Sequence, residues 1–139
     1  MSEKVKEIKY TDEIDARKRE QISKFSLISN NEDKPEQLLE KESVHLIVAL
    51  SNQEKIVGYV LLEKEIDDLS PNIKYIEIKK EFRGRNIGTN LMNKIITYVD
   101  KRANQKEITL IAINDSADFF RKFNFKKTAE DVPLMKLTL

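Results

Sequence analysis

The sequence predicts a mixed α/β domain built on one central sheet. Three observations carry that expectation. Strand-type runs alternate with runs of helical spacing along the chain. Two adjacent strand-type runs, 44–50 and 56–62, are joined by the short polar turn Ser51-Asn52-Gln53-Glu54. A repeat of Leu91, Met92, Ile95, Ile96 and Val99 at helical spacing stands between strand-type runs at 73–79 and 108–113. A length of 139 residues suits one domain, 1–139, with a single core.

Each element has its own cause. Val5 to Tyr10 alternates apolar and charged residues, the pattern of a half-buried strand. From about 12 to 28, Ile14, Ile22, Phe25 and Ile28 fall near one helical face, with Thr11 or Asp12 able to cap the start. A polar loop at 30–35 ends in Pro35, which suits the first turn of a short helix through Glu40. Val44 to Leu50 is the most strand-like run, and Ile56 to Leu62 is its hairpin partner. An acidic stretch and Ser70-Pro71-Asn72 precede the strand 73–79. A helix follows over about 87–103, then a β-branched strand at 108–113. Ser116 to Phe123 reads as helix, with Phe119 and Phe123 four residues apart. Runs 125–128 and 134–139 read as final strands able to pair antiparallel, and an exposed edge on the last one would suit a homodimer.

Composition narrows the function. Charged residues make up 35% of the chain yet nearly cancel, at a net charge of +1. Net charge therefore gives no support for nucleic acid or an acidic membrane as partner. The absence of cysteine removes disulfides, thiolate nucleophiles and cysteine metal sites, and a single histidine, His45, argues against a histidine metal centre. No run approaches the length of a membrane span and the N-terminus lacks a signal-peptide core, so a cytoplasmic protein is expected. His45 reads as a strand residue with an ordinary hydrogen bond, Arg17-Lys18-Arg19 as a solvated helix face, and Lys79-Lys80 as solvated charges at a strand end.

The segment Arg83-Gly84-Arg85-Asn86-Ile87-Gly88-Thr89 stands out. It holds two of the three glycines, two arginines and a helix start between a strand and an amphipathic helix. Unpaired N–H groups at a helix N-terminus attract anions, and glycine allows close approach. The spacing matches neither GxxxxGKS/T nor GxGxxG. It does resemble the acetyl-coenzyme A signature Q/R-x-x-G-x-G/A of the GNAT superfamily of N-acetyltransferases, with Arg83 first, Asn86 in place of the middle glycine and Gly88 last. The stretch 114–125 resembles that family's helix-to-strand element, N…A…FYxKxGF, and Gly58 matches its "VG" strand. The region 81–88 is similar to the glucosamine-phosphate branch, whereas 88–93 is similar to histone-type members.

The resemblance implies the acyl-coenzyme A N-acyltransferase fold, a central mixed sheet with helices on both faces. It also implies acetyl-coenzyme A as donor co-substrate, held by Ile76, Ile78, Arg83, Gly84, Arg85, Asn86, Ile87, Gly88 and Thr89. Asn114, Phe119, Phe120 and Lys122 of the second element would complete that site. The Ile78 N–H would serve the thioester carbonyl. Glu77 is the first candidate for the base, with Tyr75 and Glu81 after it. Three departures stand out. Asn86 replaces a glycine, although asparagine tolerates left-handed angles, and Asn124 replaces a turn glycine in the same way. Phe120 stands where many members carry a tyrosine that serves the departing thiolate.

The implied reaction is direct acetyl transfer to a primary amine, with a small metabolite favoured over a protein lysine or N-terminus. A non-catalytic domain that holds acetyl-coenzyme A is the alternative from another class. The acidic stretch 63–68 would suit a cationic acceptor, or simply face solvent.

Overall fold

A computed structural model of the protein describes residues 7–25, 39, 42–64, 70–102, 106–112, 116–129 and 132–139. Its elements run β1 (Lys9–Thr11), α1 (Ala16–Ser23), β2 (Val44–Leu50), β3 (Ile56–Glu63) and β4 (Asn72–Ile78). A 3-10 turn (Lys80–Phe82) leads into α2 (Ile87–Asp100), followed by β5 (Glu107–Ile111), α3 (Ala117–Arg121), β6 (Lys126–Lys127) and β7 (Leu134–Thr138). The expectations placed on Val5, the Pro35 helix, the acidic residues 65–68, Ile113 and Asn114 lie outside the described residues.

The strands form one sheet in the order β1-β2-β3-β4-β5-β7-β6. All neighbours are antiparallel except β4 and β5. Alternation sorts the side chains to two faces. On one face, Ile47, Val60, Ile73, Ile108, Leu110 and Met135 pack against Ile87, Leu91, Met92, Ile95 and Val99 of α2 and Phe120 of α3. On the other face, Leu46, Val48, Tyr59 and Leu61 pack against Ile22, Phe25 and Leu39. Burying side chains of this size contributes roughly 1.5–3 kcal/mol each, so the two layers hold the sheet from both sides.

Three expectations are corrected. Asp15, not Thr11 or Asp12, caps α1: its Oδ1 accepts the Lys18 N–H at 2.9 Å. Thr11 Oγ1 instead accepts the Glu13 N–H at 3.1 Å in the turn before the helix. Strand β7 is not the outermost strand. It is inserted between β5 and β6, so β1 and β6 are the outer strands, and β6 covers β7 at Lys136 and Met135. The free edge expected of the last strand is thereby shortened and not removed, since β6 pairs with only two of its residues.

His45 is the third case. Its ring lies flat on Tyr98 of α2, with centroids 3.7 Å apart and planes at 5°. Its Nε2 is buried without a hydrogen bond, and Asp12 Oδ2 lies 3.6 Å away. The cause is packing between β2 and α2, which fixes the ring by stacking and not by a polar partner. Burial is the largest influence on its titration and pushes its pKa below the ordinary 6.5, with Lys64 and Arg102 acting in the same sense and Asp12 opposing.

Candidate functional site

Among the described residues, the parallel pair β4 and β5 is joined at two register positions, Asn72↔Thr109 and Ile73↔Leu110. Side chains lock this joint: Asn72 Nδ2 donates to Thr109 Oγ1 at 2.8 Å, and Ser70 Oγ donates to Glu107 Oε2 at 2.9 Å. Beyond it the strands separate. In antiparallel pairing, alternate residues direct their backbone groups to the partner strand. The Lys79 N–H donates to Val57 O at 2.8 Å, so 79 and 77 face β3 whereas Ile76 and Ile78 turn their N–H and C=O toward the gap. Arg83 Nε occupies the Ile78 carbonyl from that side, at 3.1 Å.

Two connected clefts occupy the opening. One, of about 440 Å³, lies between Ile73, Tyr75 and Ile76 on β4, Leu110 and Ile111 on β5, and Phe120. The other, of about 450 Å³, continues past Ile76 and Ile78 to the loop at 83–89 and shares Ile76, Ser116 and Phe120 with the first.

At the loop the backbone takes left-handed angles twice, at Gly84 (φ +78°) and Asn86 (φ 64°). A Cβ on Gly84 would touch nothing within 4 Å, so the glycine is needed for its angle and not for space. Asn86 is the N-cap of α2, makes no side-chain cap bond, and adopts the left-handed geometry expected of it. With no acidic residue in the first turn, the positive end of the 14-residue helix α2 is left uncompensated. Its first N–H groups have no partner within the helix. At Gly88 an added Cβ would meet the Phe119 ring at 3.3 Å, which explains how closely α3 packs on this turn.

A diphosphate fits this arrangement. N–H groups at a helix start, a left-handed loop and Arg83 converge on one cleft, and an amide-bearing arm would find the Ile76 backbone groups and the Ile78 N–H further along.

Across the sheet lies a third cleft, of about 320 Å³, between α1 and the end of β4. It is lined by Gln21, Lys24, Phe25, Glu77, Ile78, Lys79, Lys80 and Arg83. Glu77 Oε1 accepts a 3.1 Å hydrogen bond from the hydroxyl of Tyr59 on β3. Tyr59 is fully buried, and Phe25 meets its ring edge-on at 5.1 Å. Desolvation, with the Glu77 charge second, pushes the Tyr59 phenol far above its ordinary value, so it remains a donor.

Most of the anticipated residues come together. Ile76, Ile78, Arg83, Gly84, Asn86, Ile87, Gly88, Thr89, Phe119, Phe120 and Lys122 line the loop cleft. Arg85 does not line it; its guanidinium lies over the Phe82 ring, 5.2 Å from the centroid. Tyr75 lines the gap cleft, and Glu77 lines the α1-side cleft, joined to the loop cleft through Ile78 and Arg83. Asn114 lies outside the described residues. Tyr59 and Phe82 escaped the sequence reading. The signal for Tyr59 is its place next to Gly58 on the strand that pairs with β4, which becomes informative only once the register is known.

A mixed sheet opened between two parallel strands beside a helix N-terminus is the architecture of a coenzyme A-dependent N-acyltransferase. Residues 13–133 match the family model described as "Acetyltransferase (GNAT) domain". The chain belongs to this family; it is a GNAT-type N-acetyltransferase, and its acetyl donor is acetyl-coenzyme A.

Solved structures share the fold. A GNAT-family acetyltransferase from Staphylococcus aureus Mu50 is 20% identical, with 96% of this chain and 99% of that one covered at a TM-score of 0.74. Arabidopsis thaliana NAA60, solved with a bisubstrate analogue, is 13% identical, covering 96% and 99% at 0.77. Escherichia coli YhbS, solved with coenzyme A, is 12% identical, covering 94% and 81% at 0.71. No curated protein sequence matches the chain significantly. Among the described residues, no group of acidic or histidine side chains is suited to a metal ion, and no helix is long and apolar enough to cross a membrane.

Proposed function

We propose that residues 1–139 act as one acetyltransferase domain that moves the acetyl group of acetyl-coenzyme A directly to the primary amine of a small metabolite. The observation that carries this reading is the opening between β4 and β5, where the Ile76 and Ile78 backbone groups face a cleft that runs to the α2 N-terminus. Acetyl-coenzyme A supplies an activated acyl group on a thiol leaving group. Arg83, Gly84, Asn86, Ile87, Gly88 and Thr89 hold its diphosphate, with Arg85 and Lys122 adding charge at the rim and Phe119 and Phe120 forming the wall. The Ile78 N–H donates to the thioester oxygen as negative charge gathers there, a preorganised contact of roughly 3–4 kcal/mol in comparable sites.

The amine must reach that carbon uncharged. Glu77 takes its proton, directly or through water, while the N–C bond forms and the C–S bond breaks. The departing thiolate then needs a proton. Phe120 has no hydroxyl to give it, and Tyr75, which lines the same gap cleft as Phe120, supplies it. The 320 Å³ volume beside Glu77 lies at the lower end of small-molecule sites, which supports a metabolite over a protein chain as acceptor. Calorimetric titration with acetyl-coenzyme A and thiol release on a panel of amines test the proposal. No heat at millimolar ligand would overturn donor binding.

Phe120 also motivates a second reading, a domain that holds acetyl-coenzyme A without turning it over. Tight donor binding with no thiol release on any amine would favour it.

A further inference from the structure

We infer that the acceptor is a primary amine carrying a negatively charged group, a carboxylate or a phosphate, and not a polyamine or a basic peptide. This inference rests on the proposed amine acetylation and specifies its substrate. Among the described residues, the α1-side cleft is lined by one carboxylate, Glu77, and four cations, Lys24, Lys79, Lys80 and Arg83. Glu77 sits against buried Tyr59, whereas all four cations are exposed. None of the four has a carboxylate partner within 4.0 Å among the described residues.

Two of these cations already have local roles. Arg83 bonds the Ile78 carbonyl and lines the diphosphate cleft as well, and the Lys79 ammonium lies over the Phe25 ring, 5.7 Å from its centroid. Lys24, just past α1, and Lys80, which opens the 3-10 turn, remain. Both border the cleft in which the amine must approach Glu77. An ammonium directed at Glu77 with an anionic tail toward Lys24 and Lys80 matches each charge to its opposite. A second ammonium in the tail position would meet like charge in a cleft already rich in it, and repulsion between like charges selects against wrong partners as effectively as attraction selects for right ones.

The test measures kcat/KM with acetyl-coenzyme A for matched primary amines whose far end is a carboxylate, phosphate, carboxamide or ammonium, across a range of chain lengths. The anionic series is expected to lead the carboxamides by roughly tenfold at low salt, as for two partly screened ion pairs, and to lose that lead as salt rises. In the double variant Lys24→Gln, Lys80→Gln the ratio of anionic to carboxamide kcat/KM should fall by about the same factor. A lead for the ammonium or carboxamide series would overturn the inference while leaving amine acetylation standing. So would a double variant that raises only the KM for acetyl-coenzyme A, because the lysines would then serve the donor. Donor binding with no thiol release from any amine would reject acetylation itself and the inference with it.

Discussion

The hydroxyl of Tyr59 donates to Glu77 Oε1 at 3.1 Å, across neighbouring strands and from a fully buried position. The two residues are register partners in the β3–β4 ladder, so the backbone itself sets the contact. A phenol held protonated by burial is a permanent donor, and it fixes the carboxylate at the end of β4.

Glu77→Gln is expected to lower kcat by about 10²–10⁴, the usual contribution of a positioned base. The dissociation constant for acetyl-coenzyme A should stay unchanged, since Glu77 does not line the loop cleft. Steady-state kinetics and calorimetry check this, and an unchanged kcat would remove Glu77 from the mechanism. Tyr59→Phe should cost about 1.5–3 kcal/mol of folding stability, the range for hydrogen bonds to charged groups, as read by urea denaturation.

The left-handed angle at Asn86 predicts a graded series. Asn86→Gly should hold acetyl-coenzyme A at least as tightly as the natural protein. Asn86→Val carries a β-branched side chain at positive φ and should cost about 1–2 kcal/mol, felt as loop distortion and a roughly tenfold or greater loss of donor affinity. Calorimetry on the two variants separates them, and equal affinities would mean that the loop angle does not matter to binding.

Gly58 lies opposite Ile78, where an added Cβ would come within 2.6 Å of Ile78 Cδ1 and 3.2 Å of the Glu77 carbonyl oxygen. The Ile78 methyl can swing aside, but the carbonyl is backbone. Gly58→Ala should therefore push β4 outward, costing about 1–3 kcal/mol of stability. It should also weaken acetyl-coenzyme A binding, because the displaced segment carries the backbone groups of the gap. Denaturation and calorimetry on one variant measure both effects, and a loss of stability with unchanged affinity would detach Ile78 from the donor.

Stability should depend on pH through His45. Its native pKa lies below the ordinary 6.5 because burial disfavours the charged ring, so below pH 6.5 the unfolded chain binds more protons than the folded one. The stability is complete above 6.5 and is lost progressively as pH falls from there toward the lowered native value. His45→Phe keeps a ring on Tyr98 and removes the titration. Melting curves should show the natural protein losing stability across that interval and the variant losing less; parallel curves would contradict the assignment.

What could be read from the sequence was local. The β2–β3 hairpin and the helix start after Asn86 follow from neighbouring residues, the left-handed asparagines at 86 and 124 from the family's glycine positions, and all of them occur. The contact between Tyr59 and Glu77 spans 18 residues and depends on register, which no short pattern encodes. The placement of β7 between β5 and β6 was invisible for a related reason. Alternation tells which face a side chain takes, not which strand lies beside it. The start of α1 is not fixed locally, because Thr11, Asp12 and Asp15 are all good caps and only the path of the chain after β1 decides among them.

The two-pair joint between β4 and β5 gives the sheet a mechanical character. Strands β1 to β4 form one slab, β5 to β7 another, and a clasp at Asn72 and Thr109 holds them at one end. A chain-like ligand with amides of its own, lying in the opening as proposed, would take the place of a strand between them. On the proposed donor pose, acetyl-coenzyme A should therefore slow amide exchange at Ile76 and Ile78, the residues that face the opening.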